Sequence, residues 1–223
     1  STNDSFYVNA PMEDYYAVTV TDSNGCQSRD TVTVIEYQYD AGITGLTSPT
    51  DDCELDTAEQ ITVEITNVAP VPLNPGDTVV VAYSLNEGVL VWDTLVMTTT
   101  IDIDSSFEHT FSETENMKLP GVYSFELYTV FDGDLYVNNN PDPYIVNVWG
   151  YPAFDLGPPI VTKQPDTVII NASSNYDTYL WQDLSTDSIF NVSRLTSADY
   201  YATVTDTHGC ASNDSVKVIV TDL

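Results

Sequence analysis

Apolar and polar residues alternate with a period of two in six segments of the chain, at 16–21, 31–34, 61–66, 78–83, 123–128 and 215–220. Each segment places β-branched or aromatic side chains on one face and Thr, Ser or a charged residue on the other, which is typical of β-strands. Helical spacing is weak: the best window, 112–119, is short, lacks an apolar face and stops at Pro120. The pattern therefore predicts an all-β protein made of antiparallel β-sandwiches.

The two ends of the chain repeat each other. A shift of 184 positions places Cys26 on Cys210 without a gap. Self-similarity at a fixed spacing is the mark of a repeat architecture. We therefore interpret residues 1–37 as a second copy of the end of the chain. The matching positions include 19–22 with 203–206, Gly25 with Gly209, Asp30 with Asp214, Val32 with Val216, and Val34 with Val218.

Each copy has the pattern of a β-hairpin, with a turn at 23–25 in one and 207–209 in the other. The glycine in each turn supplies the positive φ that closes it. A lone hairpin is not stable in water. Residues 1–37 are therefore predicted to be the C-terminal half of an immunoglobulin-like domain. Its missing strands either precede it in a longer tandem array, which we favour, or come from another chain.

The central segment, residues 38–150, differs in character from the two repeated ends. Its seven predicted strands match the count of an immunoglobulin-like sandwich. Residues 151–223 form the third predicted domain, in which strands near 166–170 and 179–181 precede the hairpin and complete a sandwich. The central strands are predicted at 41–47, 60–68, 77–85, 88–96, 105–111, 121–131 and 143–149.

Composition narrows the range of partners. The chain carries 34 Asp and Glu against 5 Lys and Arg, a formal net charge of −29. A nucleic acid is not an expected partner, because binding a phosphate backbone requires clustered cations. A hydrophobic content of 42% and an aromatic content of 11% are enough for packed cores rather than a disordered acidic tail. No apolar run is long enough to span a bilayer, and the first ten residues lack a signal-peptide pattern, so we expect no membrane insertion of this segment.

The sequence also resembles known modules. Residues 155–220 resemble the immunoglobulin-like or PKD-like repeats of large Bacteroidetes surface proteins, through Asp155-Leu-Gly-Pro158, Tyr179-Leu-Trp181 and Gly209-Cys210. The central segment resembles the CARDB-like adhesion modules that often accompany them, through Glu59-Gln-Ile-Thr-Val-Glu-Ile-Thr-Asn67 and Pro120-Gly-Val-Tyr123. The resemblance therefore implies three domains: half of an immunoglobulin-like domain over 1–37, a CARDB-like sandwich over 38–150 and a complete immunoglobulin-like domain over 151–223.

This resemblance implies export by the type IX route and an extracellular or cell-surface location. The implied role is a structural or adhesive repeat segment, serving as a stalk, a filament or an adhesin array without catalysis. The implied partners are neighbouring repeats of the same protein, in homo-oligomers or filaments, and a surface or glycan target. The alternative is a saccharide-binding accessory module of a secreted hydrolase.

The three cysteines depart from the pattern of the resembling repeats, in which the cysteine after the turn bonds a cysteine on the first strand. Lys163 occupies that partner position, so Cys210 is expected to lack a partner in its own domain. Any partner of Cys26 is expected upstream of residue 1. Cys26 with Cys53 is the pair we consider within the chain, but buried free thiols acting as small hydrophobes are the preferred interpretation. The cysteine spacing gives no zinc site.

Acidic loops are the candidate metal sites. Segment 132–142 concentrates oxygen-bearing side chains beside Gly133, and Ca²⁺ prefers six to eight oxygen ligands. It lacks the spacing and the closing Glu of an EF-hand. Loops 51–56 and 102–104 are weaker candidates, and solvated turns are the alternative reading for all three. The proposed Ca²⁺ ligands are Asp132, Asp134, Asn138, Asn140 and Asp142.

Catalysis is not expected, and no catalytic residue is assigned. His109 lies on an alternating strand and His208 at a hairpin tip, so neither suggests a nucleophile–base pair. Trp149 and Trp181 are expected to serve a domain junction and a sandwich core. Trp92, beside Asp93 on a predicted edge hairpin, is the candidate for stacking on a saccharide ring.

Overall fold

The computed structural model describes residues 14–34, 40–130, 143–163, 167–192 and 196–221. These residues form fifteen strands and no helix, which confirms the predicted all-β fold. No described residue belongs to a helix of the length and apolarity needed to cross a membrane. The strands are β1 Asp14–Thr21, β2 Gln27–Val34, β3 Ala41–Ser48, β4 Glu59–Asn67, β5 Thr78–Leu85, β6 Val91–Val96, β7 Ser106–Glu115, β8 Gly121–Val130, β9 Tyr144–Val148, β10 Ile160–Lys163, β11 Val168–Asn171, β12 Thr178–Trp181, β13 Ile189–Val192, β14 Ala198–Thr205 and β15 Ala211–Thr221.

The described strands form five sheets, ordered β1-β2, β3-β4-β7, β6-β5-β8-β9, β10-β15-β14-β12 and β11-β13. The chain divides into two compact units. The predicted domain boundaries after residues 37 and 150 stay predictions. The first unit comprises Ser1–Leu46, Thr62–Thr110 and Glu126–Pro143, and the second comprises Thr47–Ile61, Phe111–Phe125 and Tyr144–Leu223.

In the first unit, burial follows the alternation of the sequence. Val63 and Ile65 of β4 are fully buried, as are Val79 and Val81 of β5, while their polar neighbours face outward. This is the arrangement expected when one face of a sheet covers a core. Strand β5 is buried on both faces over 81–84, in keeping with its inner position in the β6-β5-β8-β9 sheet.

A buried amide fixes two loops of the first unit. Asn67 is fully buried at the end of β4. Its Nδ2 donates to the carbonyls of Val71 at 3.0 Å and Ile101 at 3.1 Å, and its Oδ1 accepts from the backbone N–H of Ala69 at 3.1 Å. Because these bonds satisfy the amide, its burial is not penalised.

The second unit contains a sandwich whose core is shared by the β11-β13 and β10-β15-β14-β12 sheets. The expected core position of Trp181 is confirmed, because its side chain is 1% exposed. Its indole Nε1 donates to the carbonyl of Asp187 at 2.7 Å, and its ring lies 5.0 Å from that of Phe190. The other buried members are Val168, Ile170, Ala172, Val192, Tyr200, Ala202, Val204, Val216 and Val218.

One pairing in this unit differs from the antiparallel expectation. Strand β10 pairs in parallel with β15, from Ile160 opposite Val218 to Lys163 opposite Thr221. Strands β10 and β15 are far apart in sequence, so no tight hairpin has to join them and a parallel pair is possible. This register also places Lys163 at the end of β15 away from Cys210, roughly 35 Å along the strand.

Candidate functional site

The two hairpins of the chain have the same register. In β1-β2, Asp14 pairs with Val34 and Thr21 with Gln27. In β14-β15, the positions 184 residues later pair in the same way, from Ala198 with Val218 to Thr205 with Ala211. The sequence repeat is therefore also a structural repeat at the level of backbone pairing.

The turns of the two hairpins also contain the same hydrogen bonds from backbone N–H groups to an aspartate side chain. Asp206 accepts hydrogen bonds through Oδ1 from the backbone N–H groups of His208 and Cys210, each at 2.9 Å. Asp22 accepts from the corresponding N–H groups of Asn24 and Cys26, each at 2.8 Å. The glycines between them have φ values of 84° and 87°, a conformation that glycine adopts without strain. Each turn therefore presents its cysteine in the same local frame.

These hydrogen bonds also affect ionisation at the second turn. Desolvation alone would raise the pKa of Asp206. The N–H groups of Cys210 and His208 and the nearby His208 ring outweigh that effect and hold the pKa below its ordinary value. The carboxylate thus stays charged where it closes the turn.

The environments of the two hairpins differ sharply. In β14-β15, Ala202, Val204 and Val216 are at most 2% exposed. Their counterparts in β1-β2 are open to solvent: Val18 is 53% exposed, Val20 63% and Val32 59%. Within the described part of the chain, β1 and β2 form a two-stranded sheet that no other strand joins. The first hairpin thus exposes the apolar face that the second hairpin buries.

The structure contradicts the preferred interpretation that the thiols are buried and free, and the partner of Cys210 lies outside its predicted domain of residues 151–223. Cys53 and Cys210 form a disulfide with a Cα–Cα distance of 5.5 Å, across a sequence separation of 157. Cys26 is a free, exposed cysteine, so the pair considered from the sequence, Cys26 with Cys53, is also wrong. Sequence spacing did not reveal the pairing because its geometry depends on how distant segments are brought together.

The acidic loop around Cys53 explains how the second unit brings these cysteines together. Asp51 Oδ1 accepts from the backbone N–H of Asn147 at 2.7 Å, and Asp52 forms a β-bridge with Val148. The backbone N–H of Gly150 donates to the Cys53 carbonyl at 2.9 Å. The loop is therefore fixed along the end of β9, and the Asp51 and Asp52 carboxylates accept hydrogen bonds from backbone N–H groups.

A second contact lies in the same region. The ring of Trp149 stacks on the imidazole of His208, with centroids 4.8 Å apart and an interplanar angle of 14°. His208 is two residues before Cys210, and the backbone N–H of Trp149 donates to the Asp52 carbonyl at 3.1 Å. The β14-β15 turn is thus held to the 51–53 and 149–150 segments by a disulfide and by a ring stack.

The predicted Ca²⁺ ligands Asp132, Asp134, Asn138, Asn140 and Asp142 lie outside the described residues. Within the described part of the chain, no group of three or more His, Cys, Asp or Glu side chains could hold a metal ion. At the end of loop 51–56, the backbone N–H of Thr57 and then its hydroxyl donate to Asp56 and lower the pKa of that carboxyl. The calcium site stays a prediction.

Trp92 lies on β6, the edge strand of its sheet, and is 52% exposed. Its neighbour Asp93 accepts a hydrogen bond from His109, with 3.0 Å between Oδ2 and Nε2. The aromatic face is therefore accessible, and its proposed stacking on a saccharide stays a prediction.

Sequence reasoning missed a polar cluster in the first unit. Glu126 Oε2 accepts from Ser84 Oγ at 3.0 Å and from the Tyr128 hydroxyl at 2.8 Å. The Glu126 hydrogen bond, followed by desolvation and by the charge of Glu126, raises the pKa of Tyr128. The two-residue spacing of Glu126 and Tyr128 placed them on one strand face, but the contribution of Ser84 required the sheet order.

No protein-family model and no curated protein matches the chain. Several solved structures align with it. The crystal structure of DIP-gamma IG1+IG2 has 10% identity and a TM-score of 0.38, and covers 81% of this chain and 97% of that one. The structure of a 1.5-MDa bacterial ice-binding adhesin, described for host cell surface retention, has 16% identity and a TM-score of 0.32, and the alignment covers 93% of this chain and 74% of that one. Bacteroides ovatus SGBP-B, in complex with a mixed-linkage heptasaccharide, has 13% identity and a TM-score of 0.24, and the alignment covers 93% of this chain and 52% of that one. Such low scores carry no information about the function of this chain.

Proposed function

We propose that the chain is a non-catalytic structural or adhesive repeat segment of a large bacterial cell-surface or secreted protein. The observation that carries the proposal is the duplicated hairpin, in which register, turn bonds and cysteine recur at a spacing of 184 residues. A chain that repeats its structural parts in this way builds length rather than a single active site. Within this proposal, the finer assignment is to CARDB-like and PKD-like modules of a Bacteroidetes protein exported by the type IX route.

Two further observations support an extracellular stalk, filament or adhesin. The Cys53–Cys210 disulfide is a kind of bond that persists in oxidising compartments. The net charge of −29 opposes edge-to-edge association of strands and keeps an array soluble. Neighbouring repeats of the same protein are then the first expected partners, with a surface or glycan target as the second.

Single-molecule force spectroscopy tests this role. The full chain is held by its two ends and stretched under oxidising conditions. A structural segment is expected to give reproducible unfolding peaks and to refold on relaxation. Adding a reductant should release the residues between Cys53 and Cys210, a gain of roughly 520–560 Å in contour length for 157 residues. A chain that extends without any force peak under oxidising conditions would contradict the structural role.

The saccharide-binding alternative is favoured by the exposure of Trp92 on an edge strand. A glycan array probed with the full chain and with Trp92→Ala separates the two functions. Selective binding that disappears in Trp92→Ala supports the accessory-module role. Absence of selective binding, or binding that is unaffected by the substitution, removes it.

Calcium is the proposed cofactor, through Asp132, Asp134, Asn138, Asn140 and Asp142. Calorimetry with added Ca²⁺ and with a chelator tests it. A melting temperature that rises with Ca²⁺ and falls back with the chelator supports the site. An unchanged melting temperature removes it.

A further inference from the structure

We propose that the β1-β2 hairpin is a docking surface for a second copy of the segments that cover β14-β15, and that Cys26 forms a disulfide with the counterpart of Cys53 in that copy. The inference deepens the proposed role as a repeat segment and rests on it. The occupant is defined by this chain's own structure: it is the segment of the preceding repeat that is equivalent to residues 38–184.

The second hairpin shows what such an occupant must supply. Strand β12 pairs with the outer edge of β14, and β10 pairs with the outer edge of β15. The β11-β13 sheet completes the shared core that buries the β14-β15 side chains. The first hairpin has the same register and apolar face, and Val18, Val20 and Val32 are exposed. Strands β10, β11 and β12 all lie within residues 38–184, so a copy of that segment would supply the same three strands to β1-β2.

A polar position supports the same occupant. Asp214 Oδ2 accepts a hydrogen bond from the backbone N–H of Leu156 at 2.7 Å, which ties the segment before β10 to β15. Asp30 is the counterpart of Asp214, and its Oδ1 accepts from the adjacent Thr31 N–H at 2.9 Å. A copy of the 155–158 segment would bring the matching donor to Asp30.

The cysteine specifies how the occupant is attached. The turn holds Cys26 in the local frame that holds Cys210, and Cys210 is bonded to Cys53. Cys26 is exposed and free. A second copy placed over β1-β2 as its equivalent lies over β14-β15 brings its own Cys53 to Cys26. Each repeat would then be covalently closed onto the hairpin that follows it.

One contact should differ between the two copies. The position equivalent to His208 is Asn24, so the ring stack with Trp149 has no counterpart at the first hairpin. The disulfide, the apolar face and the Asp30 contact remain. The proposed interface therefore depends more on Cys26 than the second hairpin depends on Cys210.

The test adds residues 38–184 directly before Ser1 of the full chain, which restores the 184-residue spacing. After oxidation, disulfides are mapped by proteolysis and mass spectrometry. We expect Cys26 bonded to the added Cys53 and an unchanged Cys53–Cys210 bond. We also expect amide exchange at Val18 and Val20 to slow at least tenfold relative to the unextended chain, because the face becomes covered.

Two variants separate covering from bonding. Cys53→Ser in the added segment should leave Cys26 free while exchange at Val18 and Val20 stays slow. Val18→Asp with Val20→Asp should abolish the slow exchange by placing charges on the apolar face. The native Cys53–Cys210 bond reports correct folding in every sample.

A Cys26 that is fully alkylated in extended molecules with an intact Cys53–Cys210 bond would overturn the proposal. A Cys26–Cys26 dimer of the unextended chain that also covers Val18 and Val20 would overturn the choice of occupant. Both outcomes are distinct from failure of the structural role, which is read from force peaks of the unextended chain.

Discussion

The Cys53–Cys210 disulfide yields a quantitative prediction. Replacing both cysteines with alanine removes a cross-link between two segments of the second unit that lie 157 residues apart in the sequence. The chain-entropy relation gives about 5 kcal/mol for a loop of that length, and removing a native disulfide typically costs about 2–5 kcal/mol. We therefore expect the free energy of unfolding of the second unit to fall by about 2–5 kcal/mol. Cys26→Ala is the matched control, because it removes an exposed thiol that is in no disulfide.

Urea denaturation followed by tryptophan fluorescence measures the effect. In a Trp92→Phe background, the remaining tryptophans, Trp149 and Trp181, both lie in the second unit, so the signal reports that unit. With a urea dependence of about 2–3 kcal/mol per molar, the midpoint should fall by about 0.7–2.5 M. Thiol titration of the unfolded, unreduced protein should detect one reactive cysteine among the three.

Equal midpoints for the double alanine variant and for Cys26→Ala would refute this reasoning. So would three reactive thiols in the oxidised protein. A reductant added to the unsubstituted chain should reproduce the midpoint of the double variant, since it breaks the same cross-link without changing side-chain volume elsewhere.

Three further predictions concern single side chains. Trp181→Ala should lower the stability of the second unit by about 3–5 kcal/mol, measured by thermal unfolding, because it empties a fully packed site. Asn67→Ala should cost about 1–3 kcal/mol in the first unit, since it removes the hydrogen bonds that a buried amide makes to the backbone; an unchanged melting curve would contradict this. The Ser185 hydroxyl and then its N–H donate to Asp183 and lower the pKa of its carboxyl. The stability that the charged Asp183 carboxylate contributes is therefore present above about pH 4 and is lost as the pH falls through the lowered pKa. An NMR titration of Asp183 should show that pKa move back up in Ser185→Ala.

Strand positions were accessible from the sequence because alternation is a local property. The strand predicted at 60–68 is observed at Glu59–Asn67, and the strand predicted at 77–85 is observed at Thr78–Leu85. The strand predicted at 88–96 begins only at Val91, since the turn after β5 extends to Gly88, whose N–H donates to the Leu85 carbonyl. The duplicated hairpin was likewise visible, because a repeat of residues at a constant shift carries its register and turn with it.

The cysteine pairing was not accessible in the same way. It depends on Asp51 bonding to Asn147 and on the bridge of Asp52 with Val148, contacts between segments almost a hundred residues apart. The parallel pairing of β10 with β15 and the contacts of Asn67 have the same origin. Alternation of side chains fixes which residues form strands and which face is apolar. It contains no information on which distant loop lies beside which turn, because that depends on the free energy of the whole packed unit.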